Sequence, residues 1–150
     1  MIRDRIANET KVAMKSGDKA RLSALRMVSS AIKNLDIEGR TQGKGEASED
    51  ALLGLLQRLI KQRQESAELY DKGARPELAS AERAEIAVIQ SFLPQQMSEE
   101  EARAAIAAAI KETGAASGKD MGKVMAALKS AYAGKMDFGK ASGTVKSMLG

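Results

Sequence analysis

The chain has 150 residues, no Cys, no His and no Trp, and 24 basic against 20 acidic side chains give it a net charge of +4. A disulfide framework, a Cys/His zinc site, a thiol nucleophile and any Ser–His or Cys–His pair are therefore excluded, and no side chain has an ordinary pKa near neutrality. The hydrophobic fraction is 43% but the aromatic fraction only 3%, so the core must be aliphatic, which suits helix packing better than sheets.

The spacing predicts a first helix over 2–15, with Ile2, Ile6, Ala13 and part of Val12 facing inward. Ser16-Gly17-Asp18 breaks it: Gly17 suits a left-handed C-terminal position and Asp18 suits the start of the next helix. The second helix spans 19–38, where Leu22, Leu25, Val28 or Ser29, Ile32 and Leu35 recur every three or four residues. A Gly-rich polar segment, 39–47, reads as a flexible connector. Its Gly-x-Gly follows no strand and is no nucleotide turn.

Ser48 caps a third helix that reaches Lys72, with Glu49 and Asp50 on its positive end. It is dense in Leu, from Leu52 to Leu59, and Gly54 inside it reads as a close helix crossing. Gly73 ends it, and Pro76 opens a fourth helix over 76–92 carrying Leu78, Ile86, Val88, Ile89 and Phe92. Leu93-Pro94 is the clearest boundary in the chain, because the residue before a proline avoids helix. Ser98 with Glu101 is a capping box for a fifth helix that ends near Thr113, with Ala102, Ala105, Ile106, Ala109 and Ile110 inside. Gly114 closes it. A sixth helix near 120–133 and a seventh over 138–149, capped by Asp137, complete the chain.

The expectation is an all-α fold: a four-helix N-terminal region over 1–95, then a small three-helix C-terminal domain over 96–150. The 26 alanines and two prolines agree with it. No span of about 18 apolar residues occurs, and the N-terminus lacks a secretory apolar segment, so a cytoplasmic protein away from membranes is expected.

Charge is unevenly spread. Residues 1–44 hold ten basic and five acidic side chains, 45–118 hold eight and thirteen, and 119–150 hold six and two. Two basic ends flank an acidic middle. Glu99-Glu100-Glu101 diverges on a helix and complements its N-terminus rather than converging on a metal. Glu82 and Glu85 share a face but no other residue marks a cleft around them. No catalytic residue, metal site or cofactor is expected.

The stretch Lys119-Asp120-Met121-Gly122-Lys123 has two lysines at a helix start, where free N–H groups favour anions. Lys129, Lys135, Lys140 and Lys146 add positive charge with only Asp137 to offset it. Gly122 and Gly134 admit either a neighbouring helix or a nucleic-acid strand. Lys119, Gly122, Lys123, Lys129, Gly134, Lys135, Lys140 and Lys146 are thus the candidate RNA-contacting residues.

Lys119 to Met125, followed by Gly134-Lys135-Met136-Asp137, resembles the tail domain of the glutamyl/aspartyl-tRNA amidotransferase. The N-terminal part resembles the stand-alone YqeY-like proteins through Lys15 with Gly17-Asp18, Arg21-Leu22, Ala31-Ile32-Lys33, Lys61-Gln62-Arg63, Ala84 to Val88 and Phe92-Leu93-Pro94. This sequence departs from the amidotransferase tail at Ala126 and at Phe138 after Asp137. The resemblance implies the same four-plus-three helical architecture. It also implies a tail that grips tRNA, through positions matching Gly122, Val124, Met125, Gly134 and Lys135.

Three functions follow as expectations. The first is a non-catalytic tRNA- or RNA-binding accessory protein, partnered by tRNA or other structured RNA and by aminoacylation or amidotransferase components. The second is a contribution, within a complex, to a glutamine-dependent carbon–nitrogen ligase, since the chain alone has no Cys, His or Walker motif. The third is a protein-interaction module without RNA, carried by the acidic middle or an apolar patch on the third helix.

Overall fold

The computed structural model describes residues 1–150. It contains seven α-helices and no strand: α1 (Ile2–Ser16), α2 (Lys19–Thr41), α3 (Glu49–Lys72), α4 (Pro76–Gln90), α5 (Glu99–Thr113), α6 (Met121–Ala131) and α7 (Phe138–Leu149). A short 3-10 turn, Gly118–Asp120, leads into α6. The backbone divides into two compact units, Met1–Leu93 and Pro94–Gly150.

The caps explain most helix ends. Gly17 stops α1 at φ 73°, and the Asp18 side chain accepts the Arg21 N–H at 3.1 Å to start α2. Ser48 accepts from Ala51 at 3.2 Å, while Ser98 and Glu101 form the reciprocal capping box. Each such cap satisfies backbone donors that the first turn leaves without partners.

Three ends differ from expectation, among them that of α6, which stops at Ala131 rather than near 133. α2 runs three residues beyond Glu38, because Thr41 Oγ1 donates to the Glu38 carbonyl at 2.8 Å and holds the last turn closed. α4 stops at Gln90, and residues 91–93 form turns over the Val88, Ile89 and Gln90 carbonyls before Pro94. The 39–47 segment is also a hydrogen-bonded turn rather than a bare connector: Lys44 N–H donates to the Gly39 carbonyl at 2.7 Å. Gly39 matters there, since a Cβ would stand 3.0 Å from the Gly45 carbonyl oxygen.

In the unit over 1–93 one core gathers Ile2 and Ile6 from α1, Leu25, Val28 and Ile32 from α2, Leu52, Leu55, Leu56 and Leu59 from α3, and Ile86, Ile89 and Phe92. Val28 rather than Ser29 faces inward. Val12 is 58% exposed and Leu78 39%, so both stand outside the stripe expected for them. Gly54 is not a close crossing: nothing lies within 4 Å of where its Cβ would be. The burying positions Leu52, Leu55, Leu56 and Leu59 leave it on the helix flank.

In the unit over 94–150 a second core joins Ala105, Ile106 and Ala109 of α5, Val124 and Leu128 of α6, Met136, and Ala141 and Val145 of α7. Alanines on α5 and α7 let the helices approach closely, so little aromatic volume is needed. Tyr132 and Phe138 pack half-buried against this core.

Candidate nucleic-acid interface

The turn between α6 and α7 is a built corner. Gly134 is buried and takes φ 75°, a left-handed conformation that costs other residues about 1–2 kcal/mol. Its carbonyl accepts a hydrogen bond from the Gln96 side-chain amide at 2.6 Å, and the Lys135 carbonyl accepts the Met97 N–H at 2.9 Å. Met136 is only 3% exposed. Asp137 Oδ1 accepts the N–H groups of Gly139 at 2.9 Å and Lys140 at 3.2 Å, which starts α7. The backbone of Gly134-Lys135-Met136-Asp137 and the buried Met136 side chain are therefore engaged in folding, and the exposed Lys135 and Asp137 side chains are what the turn presents outward.

The start of α6 is arranged differently. Asp120 accepts the Ala116 N–H at 2.9 Å, and this bond, with the Ser117 amide and the nearby Lys123 charge, holds its carboxyl below the ordinary range. Asp120 thus folds the preceding loop and does not cap α6 with its side chain. Lys119, Gly122 and Lys123 are exposed around this start.

The candidate residues do not form one face. At 100° per residue, Lys123 and Lys129 on α6 stand about 120° apart, as do Lys140 and Lys146 on α7. Only Lys135 and Lys140 line a common cleft, of about 290 Å³, between α5, the corner and the start of α7. There Arg103 joins them, opposed by Glu99 and Asp137. A second cleft of about 440 Å³ shares Arg103, Lys140 and Thr144 and continues along α7 past Gly143, Ser147 and Met148, without a carboxylate. Arg103 was not legible as a site residue, because in the sequence it follows three glutamates and lies in the acidic middle.

The two units treat their charges differently. Five ion pairs lie within 4.0 Å, all in residues 1–93: Arg3–Asp36, Arg3–Glu46, Arg21–Glu9, Arg63–Glu85 and Arg83–Asp71. Glu85, which shares a helix face with Glu82, is thus tied to Arg63 at 2.8 Å. Residues 94–150 hold eight basic and six acidic side chains with no ion pair within 4.0 Å, Lys123 acting on Asp120 only through its nearby charge, while in residues 1–93 four of sixteen basic side chains are paired. No group of three or more carboxylates converges anywhere in a metal-holding arrangement. No helix is long and apolar enough to cross a membrane.

Compared with known proteins, residues 3–149 match the model of a family described as Yqey-like protein. Over 95 residues the chain is 38% identical to altered inheritance of mitochondria protein 41, mitochondrial, of Lachancea thermotolerans. That match takes in 61% of this chain and 49% of the relative, so it spans about half the relative's length.

Proposed function

The chain belongs to the YqeY-like family, and from that membership we propose that it is a non-catalytic accessory protein that binds tRNA or another structured RNA through residues 94–150. The observation that carries this reading is the absence of ion pairs in that unit. Six lysines from Lys119 to Lys146 and Arg103 stand outside any ion pair and can meet an anion from outside, whereas in the first unit Arg3, Arg21, Arg63 and Arg83, four of its sixteen basic side chains, are neutralised within the fold. Phosphate contacts by such cations release condensed counterions and give steeply salt-dependent binding. The two aromatics of the unit, Tyr132 and Phe138, are packed against its core, which favours backbone contact over base stacking.

In the same reading the units are the four-helix and the small three-helix domains of the family pattern, and the protein acts in the cytoplasm. Two cores that share no residue support the subdivision. The absence of Cys and His argues that any glutamine-dependent chemistry would be a partner's.

The test is tRNA binding by the full chain in rising salt, for wild type and for Lys119, Lys123 and Lys135 changed together to Ala. Binding that weakens steeply with salt, and a triple variant with lower affinity and a shallower slope, is the expected result. Negligible affinity at low salt for both proteins would refute it. A protein partner that co-purifies through nuclease and high salt, with no RNA, would favour the interaction module instead.

A further inference from the structure

We infer that the groove between α5 and α7 is the seat of a duplex RNA backbone, with Arg103 and Lys140 on its phosphates and Thr144 and Ser147 as hydroxyl contacts beside them. This deepens the RNA-binding reading and rests on it. Arg103 and Lys140 come from different helices yet line both adjoining clefts. Neither side chain is engaged in an ion pair, so no internal carboxylate must be displaced before a phosphate is bound.

The far end of the groove, formed by Arg103, Lys140, Gly143, Thr144, Ser147 and Met148, has two cations, no acid and two hydroxyls, of which Thr144 Oγ1 donates to the Lys140 carbonyl at 3.2 Å and so meets a ligand as an acceptor. Lys140, Thr144 and Ser147 recur at four and three residues along α7, and so share one stripe of that helix. The near end carries Glu99 and Asp137 beside Lys135, so the positive character increases away from the corner. Nothing lies within 4 Å of the Cβ position at Gly143, which leaves open space in the floor.

No aromatic ring lines either cleft, so bases of a single strand would find no stacking platform. Cations plus small hydroxyls match what a duplex displays on its broad minor-groove side, namely phosphates and 2′-hydroxyls. The α6 lysines lie outside this groove, so the main contact falls on a different face from the one the lysine-rich sequence emphasises.

The experiment measures binding of the full chain to a mixed-sequence RNA duplex of about 20 base pairs, to a single-stranded RNA of the same length and to tripolyphosphate alone. Arg103→Ala and Lys140→Ala are each expected to weaken duplex binding roughly tenfold at about 0.1 M salt and to reduce the salt slope by about 1. Gly143→Glu, which enters open space and so leaves the fold intact, is expected to weaken duplex binding by a similar factor. Lys111→Ala on α5, outside the groove, is the control for loss of charge alone. Duplex binding by wild type that is unaffected by the three groove variants would overturn this inference and leave the general RNA-binding reading standing. No binding of any RNA by wild type would defeat both. Tripolyphosphate or the single strand binding as tightly as the duplex would also overturn it, in favour of a small-anion or a single-strand site.

Discussion

Arg3 grips Asp36 through two parallel hydrogen bonds, Nη1 to Oδ2 at 2.8 Å and Nη2 to Oδ1 at 2.7 Å, and so ties α1 to α2 across 33 residues. The same guanidinium reaches the Ala47 carbonyl at 3.1 Å, while Asp36 Oδ1 accepts the Ala47 N–H at 2.9 Å. A further bond, Ile2 N–H to Glu49 Oε1 at 3.0 Å, lies alongside. Three segments of the first unit meet at one buried carboxylate.

This arrangement predicts an acid-sensitive fold. The Arg3 hydrogen bond, then the Ala47 amide, pull the Asp36 carboxyl down to about 2 from its ordinary 3.8. The folded state therefore binds fewer protons there than the unfolded chain, and the stability this provides is present above pH 3.8 and lost as pH falls towards 2. Asp36→Asn should lower the melting temperature by several degrees near pH 6 and flatten the acid limb, with the difference from wild type closing at low pH. Thermal melts followed by circular dichroism across roughly pH 2 to 6 check this, as an expected outcome.

Two glycines should respond oppositely. Gly134→Ala forces a Cβ into a left-handed, buried position and should cost about 1–2 kcal/mol or more. Gly143→Ala enters open space within α7 and should stabilise by about 1 kcal/mol through helix propensity. Urea unfolding of the two single variants measures both signs.

Each core should be separable by a single truncation. Leu56 and Leu128 are both 0% exposed, in different clusters. Leu56→Ala and Leu128→Ala should each cost about 2–5 kcal/mol. Hydrogen exchange should show the loss of protection confined to α1–α4 in the first case and α5–α7 in the second.

The capping box of α5 predicts a smaller, local effect. Ser98→Ala removes the acceptor of the Glu101 N–H, 3.1 Å away, and should cost about 1 kcal/mol, with fraying of the first α5 turn seen by amide exchange. Ser98→Asp, which keeps an acceptor at this helix start, should restore most of the loss.

The helices were legible in the sequence because their signals are local. Ser48, Ser98, Asp137, Gly17 and Gly114 each act within a few residues of themselves, and the stripe from Leu25 to Ile32 repeats at helical spacing. Asp36 was not legible as a buried ion pair, since its partners Arg3 and Ala47 are distant along the chain and Asp36 itself looks like any helix-surface acid. Gly54 misled for a related reason: a helical glycine signals missing volume but not whether anything fills it, and here nothing does. At the candidate interface the lysines stood out by composition, whereas the role of Arg103 depends on α5 lying beside α7, which no local pattern encodes.

The bonds from Gln96 to the Gly134 carbonyl and from Met97 to the Lys135 carbonyl close the second unit between its beginning and its final helix. During synthesis the segment around Gln96 leaves the ribosome well before Gly134 and Lys135 exist, so it waits for these partners while α5 and α6 emerge. The first unit can complete its core once Phe92 is out, but the second can close only after Gly134 and Lys135 have emerged as well. A released chain truncated just short of Gly134 should therefore carry a finished first unit and an open, protease-sensitive second one.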